Sequence, residues 1–201
     1  MLLYYITDRQ SCPSPLEARV RDAFEAGVDM VQLREKDLEA RALCTVATAL
    51  TAQPRQGKLL INARLDVALA SGADGVHLPS SGPAPSRIRS ASERSLLVGV
   101  SCHAPDEVAR AEQEGADFAV FGPVFDTPSK RRYGPPQGLE RLAQACRLVR
   151  LPVLALGGVS LDNAAGCLER GAAGLAAISL FQRDEPLAPL VAQLRALESP
   201  R

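Results

Sequence analysis

Short apolar runs alternate with helix-period segments along the chain, and this alternation constrains the fold more than any other sequence feature. Runs without polar alternation are typical of parallel strands that are covered by helices. The predicted strands are residues 2–6, 29–34, 58–62, 74–78, 96–101, 117–122, 152–156 and 174–178. Each run is followed by a helical segment, so the pattern predicts a single α/β domain over residues 1–201, built from eight strand-helix units.

A recurring tetrapeptide marks the passage from a helix to the next strand. Its copies are Ala-Gly-Val-Asp (26–29), Ser-Gly-Ala-Asp (71–74), Glu-Gly-Ala-Asp (114–117) and the variant Arg-Gly-Ala-Ala (170–173). Glycine in the left-handed conformation commonly ends a helix, and the glycine of each copy stands where such a cap is expected. Repeated units of this kind favour a closed (β/α)8 barrel, the TIM barrel, and leave a doubly wound open sheet as the alternative.

The composition excludes several classes of partner and compartment. Lys and Arg together number 23, as do Asp and Glu, so the chain has no bulk charge that would attract nucleic acid or an anionic membrane. Its five cysteines are dispersed and contain no Cys-x-x-Cys pair, which fits reduced thiols. Residues 1–6 are a predicted strand rather than a signal peptide, and no apolar stretch reaches bilayer length. We therefore expect a cytoplasmic protein with no nucleic-acid or membrane partner.

Two turns late in the chain have the features of a phosphate site. Gly157-Gly158 follows the seventh predicted strand, and Ile178-Ser179 ends the eighth, just before a short helix-like segment. Glycines let backbone N–H groups approach an anion, and a helix N-terminus adds the positive end of its dipole. These are also the two turns at which TIM barrels frequently bind phosphate. We therefore predict that Gly157, Gly158, Ile178 and Ser179 bind phosphate, with tight packing as the alternative explanation for the glycine pair.

The second strand ends in polar and charged residues. Strand alternation sends Gln32 and Arg34 to the same face, and Lys36 lies just beyond them in the loop. A guanidinium group there suits a substrate carboxylate or phosphate, because it binds such groups through two hydrogen bonds. The alternative is an internal Arg–Glu network that braces the mouth of the barrel.

Further candidates stand at the ends of the third, fourth and fifth strands. Asn62 is either a ligand contact or the N-cap or Asx-turn that starts the next helix. The two histidines of the chain, His77 and His103, both lie at strand ends, and histidine suits proton transfer near neutral pH. His103 is the predicted catalytic residue, with helix capping as the alternative, whereas His77 is predicted either to contact substrate or to make structural hydrogen bonds. Cys102 points away from His103, because adjacent strand residues face opposite sides, so the two do not form a dyad.

The sixth strand leads into a long loop that carries Thr127, Ser129 and Lys130. Its hydroxyl groups and cations suit a lid over an anion, and a solvated basic loop is the alternative. The strand ends lack clustered carboxylates and lack the His and Cys spacings of a tightly held catalytic metal. The sequence therefore predicts no metal site.

Together these strand ends resemble the thiamine phosphate synthase and thiazole tautomerase family, and the resemblance covers nearly the whole chain. The matching segments are Tyr5-Ile6-Thr7-Asp8, Gln32-Leu33-Arg34-Glu35-Lys36, Asn62-Ala63-Arg64-Leu65-Asp66-Val67-Ala68-Leu69, Gly75-Val76-His77-Leu78, Gly99-Val100-Ser101-Cys102-His103, Phe121-Gly122-Pro123-Val124-Phe125 and Gly157-Gly158-Val159.

The resemblance implies one of two activities. The synthase couples a pyrimidine diphosphate to a thiazole phosphate, and it is expected to place Mg²⁺-binding aspartates where this chain has Ala63 and, approximately, Ser81. The segment from Gly122 to Lys130 nevertheless resembles the diphosphate-binding loop of the synthase. The tautomerase shifts a proton without a metal to make a carboxythiazole phosphate aromatic, and its acid–base residue coincides with His103.

Because both metal carboxylates are missing, the resemblance leads us to predict a thiazole tautomerase without a cofactor. The first alternative is a thiamine phosphate synthase that uses Mg²⁺, and the second is a non-catalytic thiazole or thiamine phosphate-binding protein. In each case the expected partner is a small-molecule thiazole phosphate. A homodimer paired through helix faces is a further expectation for a barrel of this size.

Overall fold

The computed structural model of the protein describes residues 1–127 and 135–197. Strands and helices alternate throughout, as the apolar pattern predicts. The strands are β1 (Leu2–Ile6), β2 (Met30–Leu33), β3 (Lys58–Asn62), β4 (Gly75–Leu78), β5 (Leu97–Cys102), β6 (Phe118–Phe121), β7 (Val153–Leu156) and β8 (Gly174–Ala177). The helices are α1 (Leu16–Glu25), α2 (Ala40–Thr51), α3 (Leu65–Ser71), α4 (Pro85–Ser90), α5 (Pro105–Gln113), α6 (Gly138–Leu148), α7 (Leu161–Glu169) and α8 (Leu187–Ala196).

The sheet closes on itself. Every strand pairs in parallel with its neighbours in the chain, and β1 pairs with both β2 and β8. Tyr4 of β1, for example, lies opposite Met30 on one side and Ala176 on the other. The prediction of a (β/α)8 barrel is therefore confirmed, and the alternative of an open sheet is wrong.

Strand alternation divides the apolar side chains between two cores. One core fills the barrel, and the other, which consists of two clusters, lies between the strands and the helices. Tyr4 and Tyr5 are adjacent on β1, and each is fully buried in a different core. The interior core consists of Tyr4, Ile6, Met30, Leu60, Phe118, Val120, Leu154 and Ala176. This core lies beneath the carboxyl ends of the strands. Inward-facing side chains nearer to those ends are available to a ligand.

The predicted glycine caps form as expected. Gly27, Gly72, Gly115 and Gly171 have φ angles of 93°, 71°, 83° and 91°. These values lie in the left-handed region, which side chains with a Cβ rarely adopt. Each glycine reverses the chain at the end of a helix and starts the approach to the next strand.

The segment after β8 differs from the sequence prediction. Ser179 begins a turn rather than a helix, and the Gln182 amide donates to the Ser179 carbonyl oxygen at 3.3 Å. The buried Arg19 guanidinium binds carbonyl oxygens of this segment, including that of Phe181 at 2.7 Å, and α8 begins only at Leu187. The helix-like segment predicted after Ser179 is therefore wrong, and no helix dipole acts at this turn.

None of the helices in residues 1–127 and 135–197 is both long and apolar enough to cross a membrane.

Candidate active site

A cavity of about 430 Å³ opens at the carboxyl ends of the strands. This volume lies within the range of small-molecule sites, and this end of a TIM barrel is where such sites form. Ten residues that the sequence analysis selected line its wall: Gln32, Arg34, Lys36, Asn62, His103, Thr127, Gly157, Gly158, Ile178 and Ser179. His77 lies deeper, inside the barrel, and Ser129 and Lys130 fall outside the described residues.

Two polar residues at the end of β2, one in the strand and one just after it, face the cavity. Gln32 is 2% exposed, and its Nε2 atom has no hydrogen-bond partner among the described residues. The guanidinium of Arg34 forms no hydrogen bond or ion pair within that same part of the chain, although the Arg34 amide donates to Thr7 Oγ1 at 3.0 Å. A buried amide without a partner is costly, so a ligand that accepts its hydrogen bond is favoured.

The alternative of an internal Arg–Glu network does not involve Arg34. The neighbouring Glu35 is buried and accepts hydrogen bonds from Thr7 Oγ1 at 2.5 Å and from the Arg9 amide at 3.0 Å. The Arg9 guanidinium adds an ion pair at 3.6 Å. Glu35 therefore braces the end of β1 and leaves the positive charge of Arg34 at the cavity wall.

Asn62 and Ala63 form the wall at the end of β3. The N-cap of α3 is Arg64, without a side-chain cap hydrogen bond, so the capping alternative for Asn62 is not formed. Ala63 has a φ of 57°, although alanine rarely adopts the left-handed conformation. Its amide donates to the His77 carbonyl oxygen at 2.8 Å, which extends the pairing of β3 with β4 by one residue.

His103 is exposed at the end of β5 and lines the cavity. Its Nδ1 lies 2.5 Å from the Gly122 carbonyl oxygen. Because a carbonyl oxygen only accepts, Nδ1 carries the proton and Nε2 remains to interact with a ligand. The N-cap of α5 is Ala104, without a side-chain cap hydrogen bond, so His103 does not cap that helix.

His77 lies beneath the cavity and is fully enclosed. Its Nδ1 lies 3.2 Å from the Tyr4 hydroxyl, and its Nε2 lies 2.9 Å from Ser101 Oγ. Burial, assisted by the positive charge of Arg34, lowers the pKa of His77 to about 3. The ring is therefore neutral near pH 7, and it reaches the cavity only through Ser101, which lines the wall.

The sequence analysis missed Ser101. The signal was present, since alternation turns Cys102 outward into the helix-facing core and therefore turns Ser101 inward. Gly99, two residues earlier on β5, is also inward, and a Cβ there would come within 2.7 Å of His77 Nδ1. The absence of a side chain at Gly99 thus leaves room for the His77 ring.

The two turns predicted to bind phosphate contain tightly packed glycines, and they also contain backbone amides without a hydrogen-bond partner among the described residues. Gly157 and Gly158 have φ angles of 96° and 64°, and a Cβ on either would come within 2.8 Å of the loop after β6. Packing therefore requires both glycines. The amide nitrogens of Gly158 and Ser179 make no hydrogen bond to another residue that the structure describes. Both residues line the cavity, so these amides are available to an anion.

The described part of the wall does not fit a protein-held Mg²⁺ ion. Mg²⁺ prefers carboxylate oxygens, and no aspartate or glutamate lines the described wall. Residues 1–127 and 135–197 also contain no group of three His, Cys, Asp or Glu side chains that could hold a metal. The positions where the resemblance implies aspartates hold Ala63 and Ser81.

Comparisons with known proteins support one family. The model of the thiamine monophosphate synthase family matches residues 3–181. The chain belongs to the thiamine monophosphate synthase family. A relative from Geobacter sulfurreducens, provisionally named thiamine-phosphate synthase, is 45% identical over 202 residues, which cover 99% of this chain and 95% of the relative.

Two further comparisons agree with this family. A thiamine-phosphate synthase from Chlorobium luteolum is 39% identical over 186 residues, which cover 92% of this chain and 86% of the relative. The structure of a thiamine phosphate pyrophosphorylase from Pyrococcus furiosus superimposes with a TM-score of 0.80 at 30% identity, covering 98% of this chain and 94% of that protein.

These comparisons overturn the prediction of a thiazole tautomerase. The Geobacter and Chlorobium relatives are named for synthase activity, and nothing in the family match singles out a tautomerase branch. The prediction gave the two missing metal carboxylates decisive weight. That weight was misplaced, because cationic side chains and backbone amides also bind phosphate groups, and the cavity wall contains both.

Proposed function

We propose that this protein is a thiamine-phosphate synthase that joins a pyrimidine diphosphate to a thiazole phosphate. The reaction breaks the bond between the pyrimidine methylene carbon and a diphosphate oxygen, and the bonding electrons leave with the diphosphate. The lone pair of the thiazole nitrogen then forms the new carbon–nitrogen bond. The products are thiamine phosphate and pyrophosphate, and no proton has to move between carbon atoms.

The observation that supports this proposal is that one cavity has two regions whose groups suit anions. Arg34 and Lys36 follow β2, whereas the amides of Gly158 and Ser179 follow β7 and β8. Strand β1 separates the two regions in the barrel. A reaction between two phosphorylated substrates uses both regions, one for the diphosphate and one for the phosphate ester, and the names of the relatives favour this reaction over the rearrangement of a carboxythiazole phosphate.

We assign the two regions by their charge. A diphosphate has more negative charge than a monophosphate ester, so we place it against the Arg34 guanidinium and Lys36, with the thiazole phosphate at the neutral amides of Gly158 and Ser179. Charge-assisted hydrogen bonds to the leaving diphosphate strengthen as its bond to carbon breaks, so they lower the barrier as well as hold the substrate.

The remaining polar side chains orient the rings. Gln32 offers an unpaired amide donor, and Asn62 offers both a donor and an acceptor at the neighbouring strand end. His103 presents Nε2 to the cavity and is expected to contact the substrates. The homodimer expected from the sequence stays a prediction.

The proposal is tested by incubating the enzyme with both substrates and MgCl₂ and measuring thiamine phosphate after its oxidation to a fluorescent thiochrome. We expect product with the native protein. We expect Arg34→Gln to raise the KM for the pyrimidine diphosphate by about tenfold or more, since a charge-assisted contact is lost. Arg87→Gln, a substitution of an exposed arginine on α4, is the matched control and should behave as the native protein. The proposal fails if the folded native protein forms no thiamine phosphate.

A further inference from the structure

Three side chains form a hydrogen-bonded chain from the interior of the barrel to the cavity. The Tyr4 hydroxyl lies 3.2 Å from His77 Nδ1, and His77 Nε2 lies 2.9 Å from Ser101 Oγ. Tyr4 is fully buried and His77 is 2% exposed. Only Ser101 reaches the cavity wall. Because the imidazole is neutral, one ring nitrogen donates a hydrogen bond and the other accepts one.

The hydrogen bonds of this three-residue chain can be donated in either of two directions. The two directions differ in how many buried polar groups have a hydrogen-bond partner. If Tyr4 donates to Nδ1, then Nε2–H donates to Ser101 Oγ and every buried polar atom of these three side chains has a partner. If Nδ1–H donates to Tyr4, the phenol proton has no acceptor among the described residues. A buried donor without an acceptor is costly, so the first direction is favoured by about tenfold or more.

The surroundings of Tyr4 hold its ring and hydroxyl in place. The Tyr4 ring packs edge-on against Phe118 at a centroid distance of 5.4 Å, and Phe118 also contacts the His77 ring at 5.9 Å. Burial raises the pKa of the Tyr4 phenol well above its ordinary value, so Tyr4 keeps the proton that it donates. The direction of the hydrogen-bonded chain is therefore set at its buried end, which is two hydrogen bonds away from Ser101 at the cavity wall.

We propose that Tyr4 is a positioning residue that fixes the Nε2–H tautomer of His77 and thereby makes the Ser101 hydroxyl a hydrogen-bond donor to the ligand. Ser101 Oγ accepts a hydrogen bond from His77 Nε2–H, so its own hydroxyl hydrogen is directed into the cavity. The wall at this point selects an acceptor atom, either a phosphate oxygen or an unprotonated ring nitrogen, and disfavours an amino group. The identity of that ligand atom rests on the proposed function, whereas the direction of the chain does not.

The direction is tested by NMR of the full chain labelled with ¹⁵N-histidine. The protein has two histidines, so comparison with His103→Gln assigns the His77 ring signals. We expect a protonated Nε2 and an unprotonated Nδ1 in the native protein. A protonated Nδ1 would overturn the proposal without the need for any Tyr4 variant.

The role of Tyr4 is tested with a matched pair of variants. Tyr4→Phe should remove the tautomer preference and shift both His77 ring signals. Tyr5→Phe also removes a fully buried hydroxyl from β1, but that hydroxyl accepts from Gln182 at 3.1 Å on the opposite face of the strand. Tyr5→Phe should therefore leave the His77 signals in place. Unchanged His77 signals in Tyr4→Phe, or equal shifts in both variants, would overturn the assignment.

Binding measurements identify the acceptor atom. Inorganic pyrophosphate and the pyrimidine alcohol are titrated separately into the native protein, Tyr4→Phe and Ser101→Ala. We expect the affinity for one of the two probes to fall about fivefold or more in both variants. Loss for pyrophosphate identifies a phosphate oxygen, loss for the alcohol identifies a ring nitrogen, and unchanged affinity for both overturns the donor role. If the native tautomer is as expected but no thiamine phosphate forms, the proposed function fails while the direction of the chain stands.

Discussion

At the scale of single residues, His103 is the position whose expected role changes most. Its Nδ1 is engaged by the Gly122 carbonyl oxygen, which fixes the ring with Nε2 available to the cavity. The tautomerase prediction made this ring the acid–base group of a proton shift. The coupling reaction needs no such shift, so we expect His103 to act through a hydrogen bond.

This role predicts a small kinetic effect of His103→Gln. Loss of one hydrogen bond slows a reaction by about tenfold or less, whereas removal of a general acid–base group slows it by about 10²–10⁴-fold. Single-turnover formation of thiamine phosphate at saturating substrates makes the comparison without differences in binding. A loss beyond 100-fold in a folded variant would return proton transfer to the mechanism.

Strand alternation in the sequence was enough to select some residues of the site, but it did not lead to all of them. Alternation on β2 was enough to select Gln32 and Arg34, because inward polar residues stand out in an apolar strand. Ser101 was missed although the same rule applied, because a single serine is a weaker chemical signal than the neighbouring His103. Ala63 shows the limit of reasoning from one position, because a missing carboxylate does not reveal which other groups bind the phosphates.

At the scale of elements, the turns after β7 and β8 make the predicted phosphate site testable. Gly158→Asp is a poor probe, because a Cβ at this position would lie 2.8 Å from the Asp126 carbonyl oxygen in a residue with positive φ. Ser179 is exposed on the cavity wall and already carries a Cβ. We therefore expect Ser179→Glu to weaken binding of inorganic phosphate by about tenfold or more, since the new carboxylate repels the anion.

The control for this change is Ser86→Glu, which adds the same charge at an exposed position of α4. Both variants are compared by titration with inorganic phosphate, and only Ser179→Glu should lose affinity. Equal affinity in the two variants would remove the β8 turn from the site.

The elements themselves were largely predictable, and the main error has a physical cause. Continuous apolar runs end abruptly at polar residues, so predicted strand ends fall close to those of the structure. The segment after Ser179 contains Leu180 and Phe181 in a helix-like order, but Arg19 of α1 binds the backbone carbonyls at Phe181 and Glu185. A contact between residues 162 positions apart is not visible in a local pattern.

At the scale of the whole molecule, the burial of His77 makes the stability of the folded protein depend on pH. Its pKa is about 3 in the folded protein and about 6.5 in an unfolded chain. Between these values the unfolded chain binds a proton that the folded protein excludes. This contribution to stability is therefore complete above pH 6.5 and is lost progressively as the pH falls toward 3.

The native protein should lose roughly 2–3 kcal/mol more of its free energy of unfolding than His77→Gln between pH 6 and pH 4. Urea denaturation at each pH measures this difference. The variant starts from a lower stability because it loses the hydrogen bonds of the ring, so the slope with pH is the quantity to compare. Both proteins retain carboxylates such as Asp74, whose lowered pKa adds acid sensitivity of the same sign to each. Parallel slopes would contradict the buried neutral state of His77.

The joining of two phosphorylated substrates in one cavity is tested by ³¹P NMR of a single reaction mixture. The mixture contains the native protein, MgCl₂, the pyrimidine diphosphate and the thiazole phosphate. We expect the diphosphate and thiazole phosphate signals to decrease together while pyrophosphate and thiamine phosphate appear in equal amounts. Unchanged substrate signals with folded protein, or pyrophosphate released without thiamine phosphate, would contradict it.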